Sequence, residues 1–281
     1  MKHKDFAVFI LTHGRANKVI TYNTLKRFGY TGDIYLIVDN EDDQVEEYRT
    51  LYGNNVIVFD KLNESLSTDA GDNFTKRNSV LYARNACFTI AEKLGIRYFL
   101  QLDDDYQEFY YKTDTDLNYK ERHISCLDAV FDAYLDFLIT TGCKSIAMAQ
   151  QGDFIGGKLN NIGISLKRKC MNSFFCDVQN PFKFIGRMND DVNTYTLLGK
   201  TGEVFFTYTL TSINQKDTQT NQGGLTDMYK EFGTYVKSFY TVMMCPSSVF
   251  VHAINSTHPR IHHRTKWNFT VPKIISEAHK K

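Results

Sequence analysis

Short apolar runs alternate with longer amphipathic segments through the first 105 residues, and this alternation restricts the fold more than any other feature. The apolar runs are 6–11, 34–38, 56–59 and 98–102. Runs this short and uninterrupted are typical of strands buried on both faces. Segments 16–28 and 74–94 carry apolar residues at helical spacing, most clearly 74–94. Strand–helix alternation predicts an α/β fold, with a Rossmann-like, mostly parallel central sheet flanked by helices.

The second half of the chain has a less regular pattern. A helix is predicted over 127–138, and a polar run without periodicity covers 214–222. Short strand patterns occur at 145–149, 162–166, 174–178, 204–209 and 249–252. The sequence has no internal repeat and no linker rich in proline, glycine or serine. We therefore expect a single domain over 1–281 with an irregular C-terminal half.

Composition favours a protein that stays in the cytoplasm. No stretch reaches the roughly 18 apolar residues that a membrane span needs. Met1–Asp5 runs into the first strand pattern without a signal-peptide cleavage site. The cysteines have no CxxC pairing, which predicts buried or idle thiols rather than disulfides or a zinc site. They are Cys87, Cys126, Cys143, Cys170, Cys176 and Cys245.

Polar and charged residues follow three of the predicted strands at the point where each strand ends. Thr12–Arg15 follows the first strand, Asp39–Asp43 the second and Asp103–Asp105 the fourth. Ligands bind beyond the carboxyl ends of the strands in sheets of this kind. The sequence therefore predicts a nucleotide site at this edge.

The run of three acids, Asp103–Asp105, is the most informative of these segments. Adjacent carboxylates repel one another unless a cation is near. Mg²⁺ and Mn²⁺ prefer oxygen ligands and are commonly held by one or two carboxylates together with substrate phosphates. An extended backbone would place Asp103 and Asp105 on the same side, where they could share a metal and a ligand. The alternative is an ordinary acidic surface loop.

Arg77 and Arg84 lie seven residues apart in the predicted helix, so both would face the same way. Guanidinium groups bind phosphate oxygens in pairs, and these two arginines could contact a diphosphate. The alternative is a solvated helix face with ion pairs to Asp69 or Asp72. The residues alone leave the choice open.

A second acidic pair, Asp190 and Asp191, lies within 186–193. A carboxylate within hydrogen-bond reach of a hydroxyl can remove its proton during attack on a sugar carbon. The pair also fits the start of a helix, with Asn189 as cap and both acids favoured by the helix dipole. Both interpretations can hold together.

The C-terminal segment 252–281 is basic. It has six Lys or Arg against one acid, and it contains five histidines and the only tryptophan, Trp267. Such a segment suits phosphates or nucleic acid, although solvated tails often have this composition. One of His258, His262 and His263 could complete a metal's coordination.

Five motifs together resemble the TET/JBP-associated glycosyltransferase family, whose members occur in bacteriophages and include relatives of the base-J glucosyltransferase. The motifs are Leu11–Arg15, Leu102–Asp105, Phe184–Tyr195, Thr218–Gly224 and Arg260–His263. The resemblance spans nearly the whole chain. It implies a GT-A-like glycosyltransferase fold with a nucleotide-sugar-binding half over 1–105, an acceptor and catalytic half over 106–251 and a basic tail over 252–281.

The resemblance implies transfer of a sugar from a UDP-sugar, with Mn²⁺ or Mg²⁺ as cofactor, to a hydroxymethylated pyrimidine in phage DNA. The acceptor expected first is 5-hydroxymethylcytosine, and the modification would protect the DNA from host nucleases. Neither a membrane nor an obligate protein partner is expected.

The motifs and the resemblance together assign four groups of residues. The candidates for nucleotide-sugar binding are Thr12, His13, Arg15, Asp39, Arg77, Arg84, Asp103 and Asp104. The candidate metal ligands are Asp105, Asp103, His262 and His263. Asp191 matches the base of inverting members. The pair here is Asp-Asp where many relatives have Glu-Asp, which leaves the role of Asp190 open. The candidates for acceptor and DNA binding are Arg187, Arg260, Arg264, Lys266 and Trp267.

Three other functions compete with this one. A GT-A enzyme acting on a polysaccharide, lipid or protein would use the same donor chemistry. A sugar-phosphate nucleotidyltransferase would want a glycine-rich loop after the first strand, and Thr12–Arg15 holds one glycine. A non-catalytic DNA-binding module would not explain two acidic clusters, which we expect at opposite ends of the sheet.

Overall fold

The four strands of the first half lie side by side and parallel, as predicted. The computed structural model describes residues 1–154, 164–165, 167–215, 233, 235–254, 260–271 and 277. The strands are β1 (Phe6–Leu11), β2 (Asp33–Asp39), β3 (Val56–Phe59) and β4 (Tyr98–Asp103). They are ordered β3-β2-β1-β4. The carboxyl ends of all four strands therefore lie at one edge of the sheet.

Alternate residues of β1 enter two different cores. Val8 and Ile10 belong to a core on one face of the sheet, whereas Ala7 and Phe9 belong to a core on the other. Because successive side chains of a strand point to opposite faces, a strand covered on both sides must be apolar throughout. This accounts for the uninterrupted apolar run at 6–11.

The second half of the chain extends the same sheet. Its strands are β5 (Tyr106–Thr113), β6 (Tyr119–His123), β7 (Ser145–Gln150), β8 (Ile164–Ser165), β9 (Ser173–Asp177) and β10 (Phe205–Gln215). The main path continues from β4 as β9-β7-β10-β5-β6, and β8 pairs with β10. Strand β9 is antiparallel to both β4 and β7, so the sheet is parallel in the first half and mixed in the second.

Helices cover both faces of the sheet. They are α1 (Ile20–Arg27), α2 (Val45–Tyr52), α3 (Lys61–Leu66), α4 (Leu81–Lys93), α5 (Leu127–Thr141), α6 (Asp190–Lys200) and α7 (Val236–Met244). Buried side chains of α1 and α5 join the core with Val8, and those of α4 and α6 join the core with Phe9.

The predicted helix over 74–94 was wrong at its start, because α4 begins only at Leu81. The preceding backbone has other partners: the carbonyl oxygens of Phe74 and Lys76 accept hydrogen bonds from the guanidinium of Arg187. These carbonyls are therefore not used in a helical ladder. Arg77 lies outside the helix, and the prediction that it shares a helix face with Arg84 was wrong.

Part of the predicted basic tail forms a separate antiparallel ribbon. Its strands are β11 (Val249–Ile254) and β12 (Arg260–Thr265), and the ribbon packs against α7. Strand β12 was not predicted from the sequence. All six cysteines are free, as predicted. Among the described helices, none combines the length and apolarity needed to cross a bilayer.

Candidate functional site

The sequence-predicted residues converge at the carboxyl edge of the parallel strands. Thr12 follows β1, Asp39 ends β2 and Asp103 ends β4. Helix α6 starts with Asp190, and the Arg84 side chain of α4 brings this residue to the same place. The two acidic clusters that we expected at opposite ends of the sheet are therefore neighbours, and that expectation was wrong.

Asp104 anchors the turn that follows β4. Its carboxylate accepts hydrogen bonds from Thr12 Oγ1 at 2.7 Å and from Arg15 Nη1 at 2.8 Å. The Tyr48 hydroxyl lies 2.9 Å from Thr12 Oγ1 and accepts a hydrogen bond from the backbone amide of Arg15. The side chain of Asp104 is only 4% exposed. Asp104 therefore holds the β1 and β4 loops together, and its predicted direct contact with the nucleotide-sugar is not supported.

The backbone turns at residues 104 and 105 and does not stay extended. Thr21 fixes this turn by donating from its amide to the Asp104 carbonyl at 3.1 Å and from its hydroxyl to the Asp103 carbonyl at 2.7 Å. The hydroxyl also accepts from the amide of Tyr106 at 2.9 Å. The predicted extended backbone, which would have put Asp103 and Asp105 on one side, was therefore wrong.

The environment of the acids disfavours their negative charge. Burial raises the pKa of Asp103, although the guanidinium of Arg84 opposes the change. Burial and the neighbouring charges of Asp103 and Asp104 raise the pKa of Asp105 to about 7. Crowded, half-buried carboxylates with raised pKa values are the electrostatic setting that a cation relieves.

Arg84 joins the two acidic clusters. Its Nη2 donates to Asp103 Oδ1 at 3.1 Å, and its Nε lies 2.9 Å from Asp190 Oδ2. The guanidinium is 3% exposed and lies over the rings of Phe174 and Phe184. The prediction that Arg84 reaches out to a diphosphate is not supported, because the side chain points inward between two acids.

The acidic pair occupies the first turn of α6. Burial raises the pKa of Asp190 to about 7, with Arg84 opposing and Asp191 reinforcing the change. Asp191 Oδ1 accepts the amide of Val192 at 2.8 Å. Asn189 is the N-cap residue of α6, as predicted, but it adopts the left-handed conformation at φ 53° and makes no side-chain cap hydrogen bond. Its amide nitrogen donates instead to α7, to the Lys237 carbonyl at 3.0 Å and the Thr241 hydroxyl at 2.7 Å.

A second polar group surrounds Asp39. His13 Nδ1 donates to Asp39 Oδ2 at 2.7 Å, and Lys61 Nζ lies 3.1 Å from the same oxygen. The hydrogen bond to Asp39 raises the pKa of His13. Burial works to raise the pKa of Asp39, but His13 and Lys61 outweigh it and hold that pKa below its ordinary value. Lys61 was not among the predicted site residues, because it lies in α3, which the apolar pattern did not predict.

The two described C-terminal histidines differ in environment. His263 is 4% exposed, and its Nδ1 lies 3.5 Å from the amide nitrogen of Asn189. Burial and the neighbouring charge of Lys169 lower the pKa of His263 to about 3, so the ring is neutral, as a metal ligand requires. His262 is only partly buried. Of the two, His263 is the one in contact with the residue that precedes the acidic pair.

The donor set fits a metal that is shared with substrate. Within the described part of the chain, no three His, Cys, Asp or Glu side chains are grouped to hold an ion by themselves. Magnesium-type sites commonly use one or two carboxylates and complete their octahedron with water and substrate phosphates. Asp103 and Asp105, with their raised pKa values, fit that pattern.

Two candidates for acceptor binding lie elsewhere. The side chain of Arg187 is 1% exposed and donates to Asp72 at 2.8 and 3.0 Å, so its predicted contact with the acceptor is not supported. Trp267 stacks on Tyr195 at 5.9 Å between ring centroids and packs against the core of α4 and α6. This packing argues against its predicted role as an open stacking surface.

The remaining acceptor candidates lie on or beside the ribbon. Arg264 and Lys266 are exposed. The side chain of Arg260, together with His258 and the motif Thr218–Gly224, lies outside the described residues. Arg77 pairs with Glu41 at 2.8 Å through Nε, beyond the tip of β2.

Comparisons with known proteins identify one family and a set of distant structural likenesses. The sequence model of a family described as TET-Associated Glycosyltransferase matches residues 6–224. No curated protein matches the chain significantly.

Two solved structures illustrate the distant likenesses. Glucosyl-3-phosphoglycerate synthase from Mycobacterium tuberculosis, solved with Mn²⁺, UDP and phosphoglyceric acid, is 10% identical with a TM-score of 0.47 over 94% of this chain and 88% of that one. S. aureus TarS 1-349 is 13% identical with a TM-score of 0.44 over 75% of this chain and 60% of that one.

Proposed function

This chain belongs to the TET-associated glycosyltransferase family, and we propose that it transfers a sugar from a UDP-sugar to the hydroxymethyl oxygen of a modified pyrimidine in DNA. The acceptor base we favour is 5-hydroxymethylcytosine, in phage DNA that the sugar protects from host nucleases. The observation that carries the proposal is the Arg84 bridge, which sets Asp103 beside Asp190. One small region thereby holds a group for the leaving diphosphate and a group for the attacking hydroxyl.

The donor nucleotide is assigned to the edge formed by the β1 and β2 loops. The Asp39 carboxylate, oriented by His13 and Lys61, is an acceptor for hydroxyl or imide hydrogens of a nucleoside. Arg15, 25% exposed beside Asp104, adds a positive charge at the same edge. This edge therefore combines a carboxylate, which suits the neutral sugar and base of a nucleotide, with a guanidinium, which suits its charged phosphate.

Asp103 and Asp105 are the residues that would hold Mn²⁺ or Mg²⁺ together with the diphosphate oxygens. Such an ion stabilises charge on the leaving diphosphate, an effect worth several kcal/mol in comparable sites. The chain's own contribution is to keep the acids in place: Thr21 pins the turn through both backbone carbonyls, and Arg84 holds the Asp103 carboxylate.

Asp191 is assigned as the base. Its carboxylate takes the proton from the hydroxymethyl oxygen as that oxygen attacks the anomeric carbon, and the bond from that carbon to the diphosphate breaks. Asp190 is committed to the ion pair with Arg84, which leaves Asp191 as the member of the pair for proton transfer. Attack from the face opposite the diphosphate inverts the anomeric carbon.

The test is nucleoside mass spectrometry. Hydroxymethylated duplex DNA is incubated with the protein, Mn²⁺ and a panel of UDP-sugars, then digested to nucleosides. We expect a hexose or pentose mass increment on one nucleoside only. Release of UDP without any such increment would mean that the donor is hydrolysed by water and not transferred to DNA, and it would refute the DNA proposal. The matched control is Asp116→Asn, an exposed acid in the β5–β6 loop, which should retain full transfer.

A further inference from the structure

The β11–β12 ribbon has two unlike faces. Opposed residues in an antiparallel pair share a face, and the pairs Val249–Thr265 and Val251–His263 lie on the inner one. Val249, His263 and Thr265 are buried there. This inner face packs toward α7, where the Ile261 carbonyl lies 3.4 Å from the Ser238 hydroxyl that donates to it. The inner face therefore fixes the ribbon next to the acidic pair.

The outer face is basic and aromatic. Phe250 opposes Arg264, and His252 opposes His262. Lys266 follows β12 and places its Nζ 5.2 Å from the centre of the Phe250 ring. Neither strand contains an aspartate or glutamate. Arg264 and Lys266 are exposed, so this face offers two permanent cations around one aromatic ring.

We propose that the outer face of this ribbon docks in the major groove of the duplex DNA that carries the acceptor base. This inference rests on the proposed function for the identity of the acceptor, and it adds the surface and the groove. In place of the predicted basic tail, it assigns DNA binding to a preformed element of two paired strands. It also adds Phe250 and His252 to the acceptor-binding residues.

The dimensions of the ribbon fit the groove. Six residues per strand span about 20 Å, and neighbouring strands lie about 4.8 Å apart. The major groove of B-form DNA is about 12 Å wide and admits a two-stranded ribbon. Exposed Arg and Lys side chains bind phosphates at the groove walls, and an apolar ring suits the C5 substituent of a pyrimidine.

The groove is also where the acceptor group lies. The C5 position of a pyrimidine projects into the major groove, so the docked ribbon lies in the groove that carries the C5-hydroxymethyl group, and the base leaves the stack to bring that group to Asp191. His263 on the inner face contacts Asn189, the residue directly before the acidic pair. The ribbon thus connects the DNA-facing surface to the catalytic end of α6.

The first experiment measures binding of an unmodified 20-base-pair duplex by fluorescence anisotropy across a salt series. Unmodified DNA is used so that the readout does not depend on the transfer reaction. The variant is Arg264→Gln with Lys266→Gln. The matched control is Lys4→Gln with Lys93→Gln, two exposed lysines at the amino edge of the sheet, opposite the site.

Loss of two phosphate contacts should flatten the slope of log affinity against log salt by about 1.8. Because of that difference in slope, lowering the salt from 1 M to 0.1 M should raise the affinity of the wild type for DNA by up to about 60-fold more than that of the variant. Affinity for UDP should stay unchanged in the ribbon variant, and the control should bind DNA like the wild type. An unchanged salt slope in the ribbon variant would overturn the proposal.

The second experiment tests the groove with duplex RNA of the same sequence. A-form RNA has a deep, narrow major groove that side chains cannot read, so we expect clearly weaker binding than to DNA. Equal binding of RNA, or tighter binding of single strands, would refute groove docking.

The two proposals fail separately. Ribbon-dependent duplex binding without any sugar increment would leave the docking surface intact and refute the transfer reaction. Sugar transfer to DNA with an unchanged KM for DNA in the ribbon variant would do the reverse.

Discussion

The substitution Arg84→Met removes the ion-pair bridge between the two acidic clusters while keeping an unbranched, apolar side chain of similar length. In the wild type, a guanidinium that is 3% exposed pairs with Asp103 at 3.1 Å and with Asp190 at 2.9 Å. Without it, the Asp190 carboxylate is left in a buried site with 11% exposure. Removing one partner of a buried ion pair costs about 3–5 kcal/mol, because the other charge stays uncompensated.

Arg84 pairs with two carboxylates, but we expect the free energy of unfolding to fall by about 3–5 kcal/mol in total and not by twice that amount. The Asp103 side chain is 32% exposed, so water can solvate its carboxylate in part. Domains are commonly stable by about 5–15 kcal/mol, so the variant should fold with a reduced margin. The assay is urea unfolding followed by circular dichroism at pH 7. Arg97→Met is the control: its guanidinium is 43% exposed and 3.5 Å from Asp177, a pair worth about 1 kcal/mol or less.

A double-mutant cycle with Asp190→Asn identifies the cause. If the cost comes from an uncompensated carboxylate, neutralising that carboxylate should recover part of the stability lost in Arg84→Met. The coupling free energy should then exceed about 0.5 kcal/mol, the usual limit for independent sites. Additive losses, or a loss below about 1 kcal/mol for Arg84→Met alone, would show that the bridge does not support the site. Transfer activity should fall in Arg84→Met even where the protein is fully folded, because both acids lose their orientation.

Three further predictions concern single residues. Asp191→Asn should lower kcat by about 10²–10⁴-fold with UDP affinity unchanged; full turnover would mean that another group is the base. His13→Gln should lower the melting temperature at pH 6 but not at pH 9. A histidine with a raised pKa stabilises the fold below its unfolded pKa and loses that effect as the pH rises through its folded pKa; an equal loss at both pH values would contradict this. Trp267→Ala should cost about 1–3 kcal/mol of stability and leave the salt slope of DNA binding unchanged, since the ring packs on Tyr195; a flattened slope would restore its predicted role in DNA binding.

The parts of the site that could be predicted from the sequence are those that follow from local pattern. A strand buried on both faces is apolar along its whole length, so β1 and β4 and the polar residues at their ends could be read directly. Because parallel strands have their carboxyl ends at the same edge of the sheet, the parallel topology was enough to predict that several acids lie at that edge. Helix α6 could be placed because two acids precede its apolar residues.

The parts that could not be predicted depend on contacts between distant residues. Arg187 and Asp72 are 115 positions apart, and their ion pair holds the arginine in a buried position. The same guanidinium donates a hydrogen bond to the carbonyl oxygen of Lys76, in the segment before α4. Strand β6 is largely exposed and so has no apolar signal. Strand β12 has the composition of a solvated tail, and only pairing with β11 reveals its two faces. The helical position of Arg84 was correct, but the pattern could not tell whether its side chain points to solvent or between two acids.

We expect Asp105 to be needed for binding the metal ion and to lower the stability of the metal-free protein. The charge of Arg15 favours the ionised form of Asp105, but burial and the charges of Asp103 and Asp104 outweigh it. Burial and like charges raise the pKa of Asp105 to about 7, so its ionised form is disfavoured in the metal-free protein. Asp105→Asn removes that unfavourable charge at nearly constant shape.

We therefore expect a higher melting temperature for metal-free Asp105→Asn than for the wild type at pH 8. Mn²⁺ with UDP should raise the melting temperature of the wild type by mass action and leave the variant unchanged. Asp116→Asn should resemble the wild type in both measurements. A variant that is less stable without metal, or that keeps the response to Mn²⁺ and UDP, would place the ion elsewhere and separate the Asp103–Asp105 turn from the chemistry of the donor.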